Sequence, residues 1–242
     1  MKLMIVRHAE PNYPIDSLTP RGWEEAQLLA DRLCRLEVKA FYSSPLGRAK
    51  DTASVTLQRL GREAQILPWL RELPVQIPVP HTDTPDCAWD WLPQDWTKEP
   101  DYYSKDRWTA PKPMVQGGMA EYCKDVTDGL DQLLAQHGYI REGNYYRAVA
   151  ANQDTVVLFC HFGLECVLLG HLLGISPMVL WHGTCAAPSS VTVLNTEERR
   201  AGIAYFRMSE FGDISHLYAA GKEPSFMARF CETYATRDPN RD

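Results

Sequence analysis

Two histidines in this sequence follow apolar segments that have the character of β-strands. Residues 3–6 (LMIV) precede Arg7 and His8, and residues 155–160 (TVVLFC) precede His161. In open α/β sheets, ligands bind beyond the carboxyl ends of parallel strands, so both imidazoles are predicted to face one crevice. A single histidine is often a structural residue, but two at equivalent strand ends favour a site in which a neutral imidazole acts as a nucleophile.

Two arginines are predicted to add fixed positive charge to this crevice. Arg48 lies in the segment SSPLGRAKDTA, at the start of a predicted helix that follows a third strand. Alone it would be interpreted as a solvated cation, but beside Arg7 it provides the planar donors that recognise phosphate. Each cation–phosphate contact at about 4 Å contributes about 4 kcal/mol at an effective dielectric constant of 20, before desolvation. This cluster therefore predicts a phosphoryl-binding site that needs no metal.

Phosphoryl transfer also needs an acid for the leaving oxygen. Glu72, in the segment LPWLRELPV, follows a short predicted strand and could protonate a departing alcohol and then activate water. Nearby proline and tryptophan residues favour partial desolvation, which would raise the pKa of this carboxyl group. Glu10 and Asp90 are alternative acids.

The apolar spacing predicts the elements that carry these residues. Thr19 and Pro20 cap an amphipathic helix, and Ser44 and Pro45 are predicted to start another. Later segments predict a helix over 119–137, a helix after His161 that ends at Gly174, and two strands joined by a polar turn. Strands are predicted at 2–7, AFYSS (40–44), QIL (65–67), SSVTVLN (189–195) and GIAYFRM (202–208). The polar turn between the last two strands is TEERR (196–200).

This alternation of strands and helices predicts an α/β fold, a three-layer α/β/α sandwich with a mainly parallel sheet. Residues 1–242 are predicted to form a single domain. A segment from about 74 to 116 is rich in Pro, Trp and Tyr and lacks a sustained period, and we interpret it as an ordered insertion that forms a lid or pocket wall. Its tryptophans are interpreted either as an apolar roof over the substrate or as a small core of the insertion: Trp89, Trp91, Trp96 and Trp108.

Composition excludes several classes of protein. The 242 residues are 45% hydrophobic without a long apolar run, so no membrane span is expected. A net charge of −6 argues against nucleic-acid binding. The first strand starts near Met1 and leaves no room for a targeting segment, which favours a cytoplasmic location. The seven cysteines, Cys231 among them, include no CxxC pair and are interpreted as reduced packing residues.

Together the segments VRHAE, LTPRGWEEA, SSPLGRAKDTA, LRE and CHFG, in this order, resemble the histidine phosphatase superfamily, in its phosphoglycerate-mutase-like branch with the RHG motif. The resemblance implies that His8 is phosphorylated during the reaction. It also implies that Arg7 and Arg48 bind phosphate, that His161 completes the phosphate pocket, and that Glu72 is the proton donor. No metal and no other cofactor is implied.

Some positions depart from the family pattern. Asn12 lies near the position of a phosphate-contacting Asn in some members, which makes it a further candidate phosphate ligand. Ala9 replaces the usual Gly, Phe162 replaces a Gly found in many members, and LPVQIPVPH stands where the family's usual pattern follows LRE. These departures affect the acid and the substrate more than they affect His8.

The expected function is that of a metal-independent phosphomonoester hydrolase, a phosphatase that acts on a small phosphorylated metabolite through phosphohistidine. The alternatives are a mutase-type phosphotransferase and a catalytically impaired phospholigand-binding regulatory module. A metallohydrolase built on His161, His171 and His182 is a further alternative, although its spacing is poor. The expected partner is a small-molecule phosphomonoester, with no nucleic acid and no membrane, and the resemblance leaves a homodimer open.

Overall fold

The structure is a computed structural model that describes residues 1–226, so the expectations for residues 227–242 and for Cys231 lie outside the described residues. The strands are β1 (Lys2–Arg7), β2 (Pro11–Asn12), β3 (Ser17–Leu18), β4 (Ala40–Ser43), β5 (Gln65–Ile66), β6 (Tyr139–Glu142), β7 (Tyr145–Ala148), β8 (Thr155–Cys160), β9 (Val191–Arg200) and β10 (Ile203–Asp213). The α-helices are α1 (Pro20–Leu33), α2 (Gly47–Leu60), α3 (Pro93–Trp96), α4 (Lys112–Gly117), α5 (Met119–Gln136), α6 (Phe162–Leu173), α7 (Pro177–Gly183) and α8 (Ser215–Ala219). Within residues 1–226, no helix combines the length and the apolar character needed to cross a membrane.

The central sheet has eight strands in the order β5, β4, β8, β1, β9, β10, β7, β6. The first four of these are mutually parallel, and the others extend the sheet with antiparallel pairings. The α/β class and the parallel strands that carry the predicted site are therefore confirmed. The hairpin β6–β7 at one edge of the sheet was not predicted from the sequence.

Helices cover both faces of the sheet. Successive side chains of a strand point to opposite faces, and in β1 the alternate residues Leu3 and Ile5 join a core cluster with α5 and α6. Met4 and Val6 join a second cluster with α1 and α2 on the other face. Because β1 is buried on both faces, its sequence is continuously apolar rather than alternating.

Two local predictions are wrong. Helix α2 starts at Gly47 with Leu46 as its N-cap residue and has no side-chain cap, whereas Ser44 and Pro45 were predicted to start it. Ser44 instead accepts a hydrogen bond from the backbone N–H of Leu46 at 3.2 Å. The predicted polar turn TEERR is the end of β9, because the chain reverses at Gly202, where φ is +79°.

The Trp-rich insertion packs against α6 and α7. Trp91, Trp96 and Trp108 are buried and belong to the same cluster as the helices of that face. The ring centroid of Trp108 lies 5.3 Å from that of Trp181 in α7. These three tryptophans therefore join the main core, whereas Trp89 is only partly buried.

The predicted cap of α1 is confirmed and leads to a stability prediction. Thr19 Oγ1 accepts a hydrogen bond from the Gly22 N–H at 3.0 Å, so Thr19→Ala removes the cap and is expected to lower the free energy of unfolding by about 1 kcal/mol. Urea denaturation measures the change, and Thr19→Ser is the control that keeps the hydroxyl. Equal stability of the alanine and serine variants would contradict the prediction.

Candidate active site

The pairing of β1 with β8 places His8 beside His161. Arg7 is in register with Cys160, and the His8 N–H donates a hydrogen bond to the Cys160 carbonyl at 3.0 Å. The two imidazole centroids lie 5.2 Å apart. The crevice predicted beyond the strand ends therefore brings the two histidines together.

His8 is held in one tautomer by its backbone. Its Nδ1 atom lies 2.8 Å from the Ala9 carbonyl oxygen, and because a carbonyl can only accept, Nδ1 carries the proton. The Nε2 atom then holds the lone pair. Burial, followed by the charges of Arg7 and Arg48, lowers the pKa of His8 well below its ordinary value. His8 is thus a neutral imidazole with a nucleophilic Nε2 at neutral pH.

His161 is oriented by Ser44, which lies at the end of the neighbouring strand β4. The His161 Nε2 atom is 2.7 Å from Ser44 Oγ. Ser44 Oγ already accepts from the Leu46 N–H, so its own proton is available for Nε2. In that arrangement His161 Nδ1 carries a proton, and this buried atom has no partner among the described residues. It is a donor available to an anion.

Arg48 is tied to the loop between β2 and β3. Its guanidinium donates to Asp16 Oδ1 at 2.7 Å, and the Gly47 N–H donates to Asp16 Oδ2 at 2.6 Å. Burial raises the pKa of Asp16, but these hydrogen bonds outweigh burial and hold the pKa below its ordinary value. The guanidinium also lies over the Tyr13 ring, 5.4 Å from its centroid, while the buried Arg48 Nε has no partner among residues 1–226.

Gly47 makes this arrangement possible. A Cβ atom at this position would lie 1.9 Å from the Asp16 carbonyl oxygen, closer than any real Cβ contact. Only glycine therefore allows the loop to approach the first turn of α2 and to place Asp16 against Arg48.

Arg7 lies at the bottom of the crevice. It is 4% exposed and donates to the Ala186 carbonyl at 2.5 Å. Its guanidinium lies 5.5 Å from the ring centroid of Phe162. Burial, then His8, Arg48 and Arg7, lower the pKa of His161 well below its ordinary value. Both imidazoles are therefore neutral, and the two guanidinium groups supply the positive charge.

Glu72 is held at the start of α6. Its carboxyl oxygens accept hydrogen bonds from the backbone N–H groups of Leu73 at 3.0 Å, Leu164 at 2.9 Å and Gly163 at 3.2 Å. Burial raises the pKa of Glu72, and these donors and Arg7 oppose the rise without cancelling it. Because α6 starts directly after His161, these hydrogen bonds fix the carboxyl group close to His161.

The other candidates are placed less directly. Asn12 lies in β2, in the loop that contacts Arg48, but its side chain makes no hydrogen bond with the described residues. Glu10, one alternative acid, accepts a hydrogen bond from Thr19 Oγ1 at 2.7 Å and another from Ser225. The Glu10 carboxyl group therefore contacts the N-cap residue of α1.

The alternative metal ligands His161, His171 and His182 are not brought together. His171 Nε2 contacts Asp131 at 2.9 Å, and the ring of His182 stacks on Trp96 with a centroid distance of 4.6 Å. Within the part of the chain that the structure describes, the potential metal ligands that do converge are Asp86, Cys87 and Asp90. The absence of a metal requirement stays a prediction.

Sequence reasoning missed three residues that shape the site. Ser44 was interpreted as a helix cap because Ser-Pro before an amphipathic segment resembles one. Asp16 had no sequence signal, because its pairing with Arg48 depends on how a loop folds back. Tyr122 of α5 donates from its hydroxyl group to the Arg71 carbonyl at 3.0 Å and fixes the chain next to Glu72. An aromatic residue on a helix face predicts burial and does not predict this hydrogen bond.

The sequence profile of the histidine phosphatase superfamily (branch 1) matches residues 3–208. A curated relative from Hydrogenobacter thermophilus, "Putative phosphoserine phosphatase 2", is 37% identical over 81 residues, which are 30% of this chain and 40% of that protein. This match thus spans less than half of the relative's length.

Solved structures resemble the whole fold. A phosphoserine phosphatase from Entamoeba histolytica in complex with 3-phosphoglyceric acid is 19% identical, with a TM-score of 0.59 over 89% of this chain and 98% of that chain. A mycobacterial glucosyl-3-phosphoglycerate phosphatase is 20% identical, with a TM-score of 0.58 over 87% of this chain and 98% of that chain. At this level of identity, the likeness shows the fold.

The protonation state of His8 leads to the first site prediction. At pH 6.5 an ordinary histidine is half protonated, whereas His8 is expected to be neutral with its proton on Nδ1. Long-range ¹H–¹⁵N NMR spectra distinguish the two tautomers and the cation, and the spectrum of His8→Ala assigns the signal. A cationic pattern for His8 at this pH would contradict the prediction.

The close approach at Gly47 leads to the second site prediction. Gly47→Ala is expected to displace Asp16 and to weaken the binding of inorganic phosphate or vanadate by about tenfold, equivalent to about 1.4 kcal/mol, because Arg48 loses its anchor. Isothermal titration calorimetry measures the affinity. Gly183→Ala is the matched control, because a Cβ at that position meets no atom within 4 Å. Unchanged affinity in both variants would show that the loop does not position Arg48.

Proposed function

Because this chain belongs to the histidine phosphatase superfamily (branch 1), we propose that it is a metal-independent phosphomonoester hydrolase that acts on a small phosphorylated metabolite. The reaction proceeds through a phosphohistidine on His8. The observation that carries this proposal is the neutral His8 ring, which lies 5.2 Å from the His161 ring and is influenced by the charges of Arg7 and Arg48.

The phosphate group is bound by the two arginines and His161. Arg7 and Arg48 each carry a positive charge that does not depend on pH, and together they match the two negative charges of a phosphomonoester. His161 Nδ1 and Arg48 Nε are buried polar atoms without partners among the described residues, and phosphate oxygens would satisfy both. Asn12, at the end of β2, is a further candidate contact.

The first half of the reaction forms the bond between His8 and phosphorus. The lone pair of His8 Nε2 attacks the phosphorus atom, and the bond to the ester oxygen breaks. Glu72 donates its proton to the departing oxygen, so the product leaves as a neutral alcohol and Glu72 becomes a carboxylate. The guanidinium groups stabilise the charge on the equatorial oxygens in the transition state.

The second half cleaves the phosphohistidine. The Glu72 carboxylate takes a proton from a water molecule, whose oxygen attacks phosphorus as the bond to Nε2 breaks. Inorganic phosphate leaves, and both His8 and Glu72 return to their starting protonation states. The same carboxyl group thus serves as acid and then as base, which requires its pKa to permit both forms.

The relatives guide the choice of substrates to test. Those compared above are named for phosphoserine and glucosyl-3-phosphoglycerate, so small phosphorylated metabolites of this kind form the first panel. In this proposal the insertion over residues 74–116 acts as a lid of the single domain. A cytoplasmic location and a homodimer stay predictions.

A turnover experiment tests the proposal. Wild type is expected to release inorganic phosphate from members of a phosphomonoester panel in the presence of EDTA, and His8→Ala is expected to lose activity by about 10³-fold or more because the nucleophile is removed. A malachite-green assay measures the phosphate. His171→Gln is the matched control, because His171 contacts Asp131 and not the phosphate cluster.

Other outcomes identify the alternatives. Phosphate binding without turnover in wild type would favour a regulatory module. Conversion of 3-phosphoglycerate to its isomer with little phosphate release would favour a mutase. Loss of wild-type activity with EDTA, together with loss in His171→Gln, would favour the metallohydrolase.

A further inference from the structure

Trp89 of the insertion lies directly beside the proposed acid. Gly163, the second residue of α6, separates the two side chains. A Cβ built on Gly163 would lie 2.4 Å from Trp89 Cζ3 and 2.9 Å from Glu72 Oε1. Because both atoms lie so close to one point, the edge of the indole ring and the carboxyl group are neighbours. The sequence allows two interpretations of Trp89, as part of an apolar roof over the substrate or as a core residue of the insertion.

The position of Trp89 is fixed by a second tryptophan. The ring centroid of Trp181 lies 5.9 Å from that of Trp89, and Trp181 Nε1 donates to the Gly163 carbonyl at 2.9 Å. Gly163 thus donates its N–H to Glu72, accepts from Trp181 and packs against Trp89. A larger residue at position 163 would push the indole ring away from the carboxyl group.

Burial is the largest cause that disfavours the charged form of Glu72, and the neighbouring Glu165 carboxylate adds to this effect. Arg7 of β1 and the backbone N–H groups at the start of α6 favour the carboxylate. The remaining titratable neighbours come from the insertion, α5, β8 and α6, and they are Cys87, Tyr122, Cys160, Glu165 and Cys166. Burial raises the pKa of each of these five groups, so four are neutral at pH 7. Glu165, with a pKa raised to about 7, is partly ionised. Burial is the dominant effect on the pKa of Glu72, and such burial requires an apolar group that covers the carboxyl group.

We propose that Trp89 is the positioning residue that excludes water from the Glu72 carboxyl group and thereby keeps it in the acid form that protonates the leaving alcohol. The inference rests on the proposed phosphatase function and adds a residue from outside the segments that resemble the family. Apolar contact with an aromatic ring raises the pKa of a carboxyl group by desolvating its charged form. The role of Trp89 is therefore exerted through Glu72 and not on the phosphate.

The direction of the effect follows from this role. If a smaller residue replaces Trp89, water reaches Glu72, its carboxylate becomes better solvated and its pKa falls towards the ordinary value. The protonated fraction at neutral pH then falls, and catalysis is lost at a lower pH than in wild type. In the first half of the reaction, this change slows only those substrates that need a proton on the leaving oxygen, and in the second half Glu72 already acts as the carboxylate. An alkyl ester such as glycerol phosphate needs it, whereas p-nitrophenolate is a weak base and leaves without it.

The experiment compares these two esters in wild type and Trp89→Ala over a range of pH. For glycerol phosphate, kcat at neutral pH is expected to fall about tenfold or more, and the alkaline limb of the kcat profile is expected to shift about one pH unit towards acid, because one pKa unit is a factor of ten. For p-nitrophenyl phosphate, kcat is expected to change by less than about threefold. Glu72→Gln identifies the limb, because that variant should lose it.

Two further variants separate this role from a structural one. Trp89→Phe keeps an aromatic cover and is expected to restore most of the activity on glycerol phosphate, which keeps the inference testable if Trp89→Ala folds poorly. Trp108→Phe is the matched control, because Trp108 also packs on Trp181. It should leave the pH profile unchanged.

An equal loss on both esters without a pH shift, or no change on either, would overturn the inference and leave the phosphatase proposal intact. A wild-type protein that hydrolyses neither these two esters nor any member of the phosphomonoester panel would overturn the proposed function and this inference with it.

Discussion

The parallel pairing of β1 with β8 is the constraint on which the site depends. It aligns Arg7 with Cys160 and joins the His8 N–H to the Cys160 carbonyl, so the backbone itself fixes the distance between the two imidazoles. β4 pairs with the other side of β8 and delivers Ser44 to His161. Since regular ladder hydrogen bonds hold these strands, the site needs no flexible loop to bring its central residues together.

Electrostatics then determine the chemical state of these residues. Two guanidinium groups near two imidazoles would repel a third or fourth positive charge, and burial adds to this effect, so both histidines stay neutral. The charge of Arg48 is partly balanced by Asp16, and the Arg7 guanidinium contacts the Ala186 carbonyl oxygen and the Phe162 ring. A bound phosphate dianion would place two negative charges beside these guanidinium groups. The attraction between these opposite charges is stronger here than in water because the effective dielectric constant is lower.

The sequence predicts the strands that end in His8 and His161 because their apolar runs are long and both stop at polar residues. It also predicts the Thr19 cap, in which side chain and backbone are three residues apart. It does not predict Ser44 or Asp16, because their partners are distant in sequence and are met only after the chain folds back. The same reason explains the wrong start of α2. Ser44 was assigned to the local helix, whereas its hydroxyl group binds His161 on another strand.

The start of α6 shows how opposing effects can be built around one carboxyl group. Backbone N–H groups at a helix N-terminus favour the carboxylate, and burial against an indole ring favours the neutral acid. Neither effect alone would suit the reaction proposed for Glu72, in which the carboxyl group gives up a proton and then takes one from water. Gly163 allows both, because a residue without a side chain lets Glu72 reach the N–H groups while Trp89 covers the carboxyl group. The insertion resembles no motif, but Gly163 allows its residue Trp89 to lie beside Glu72.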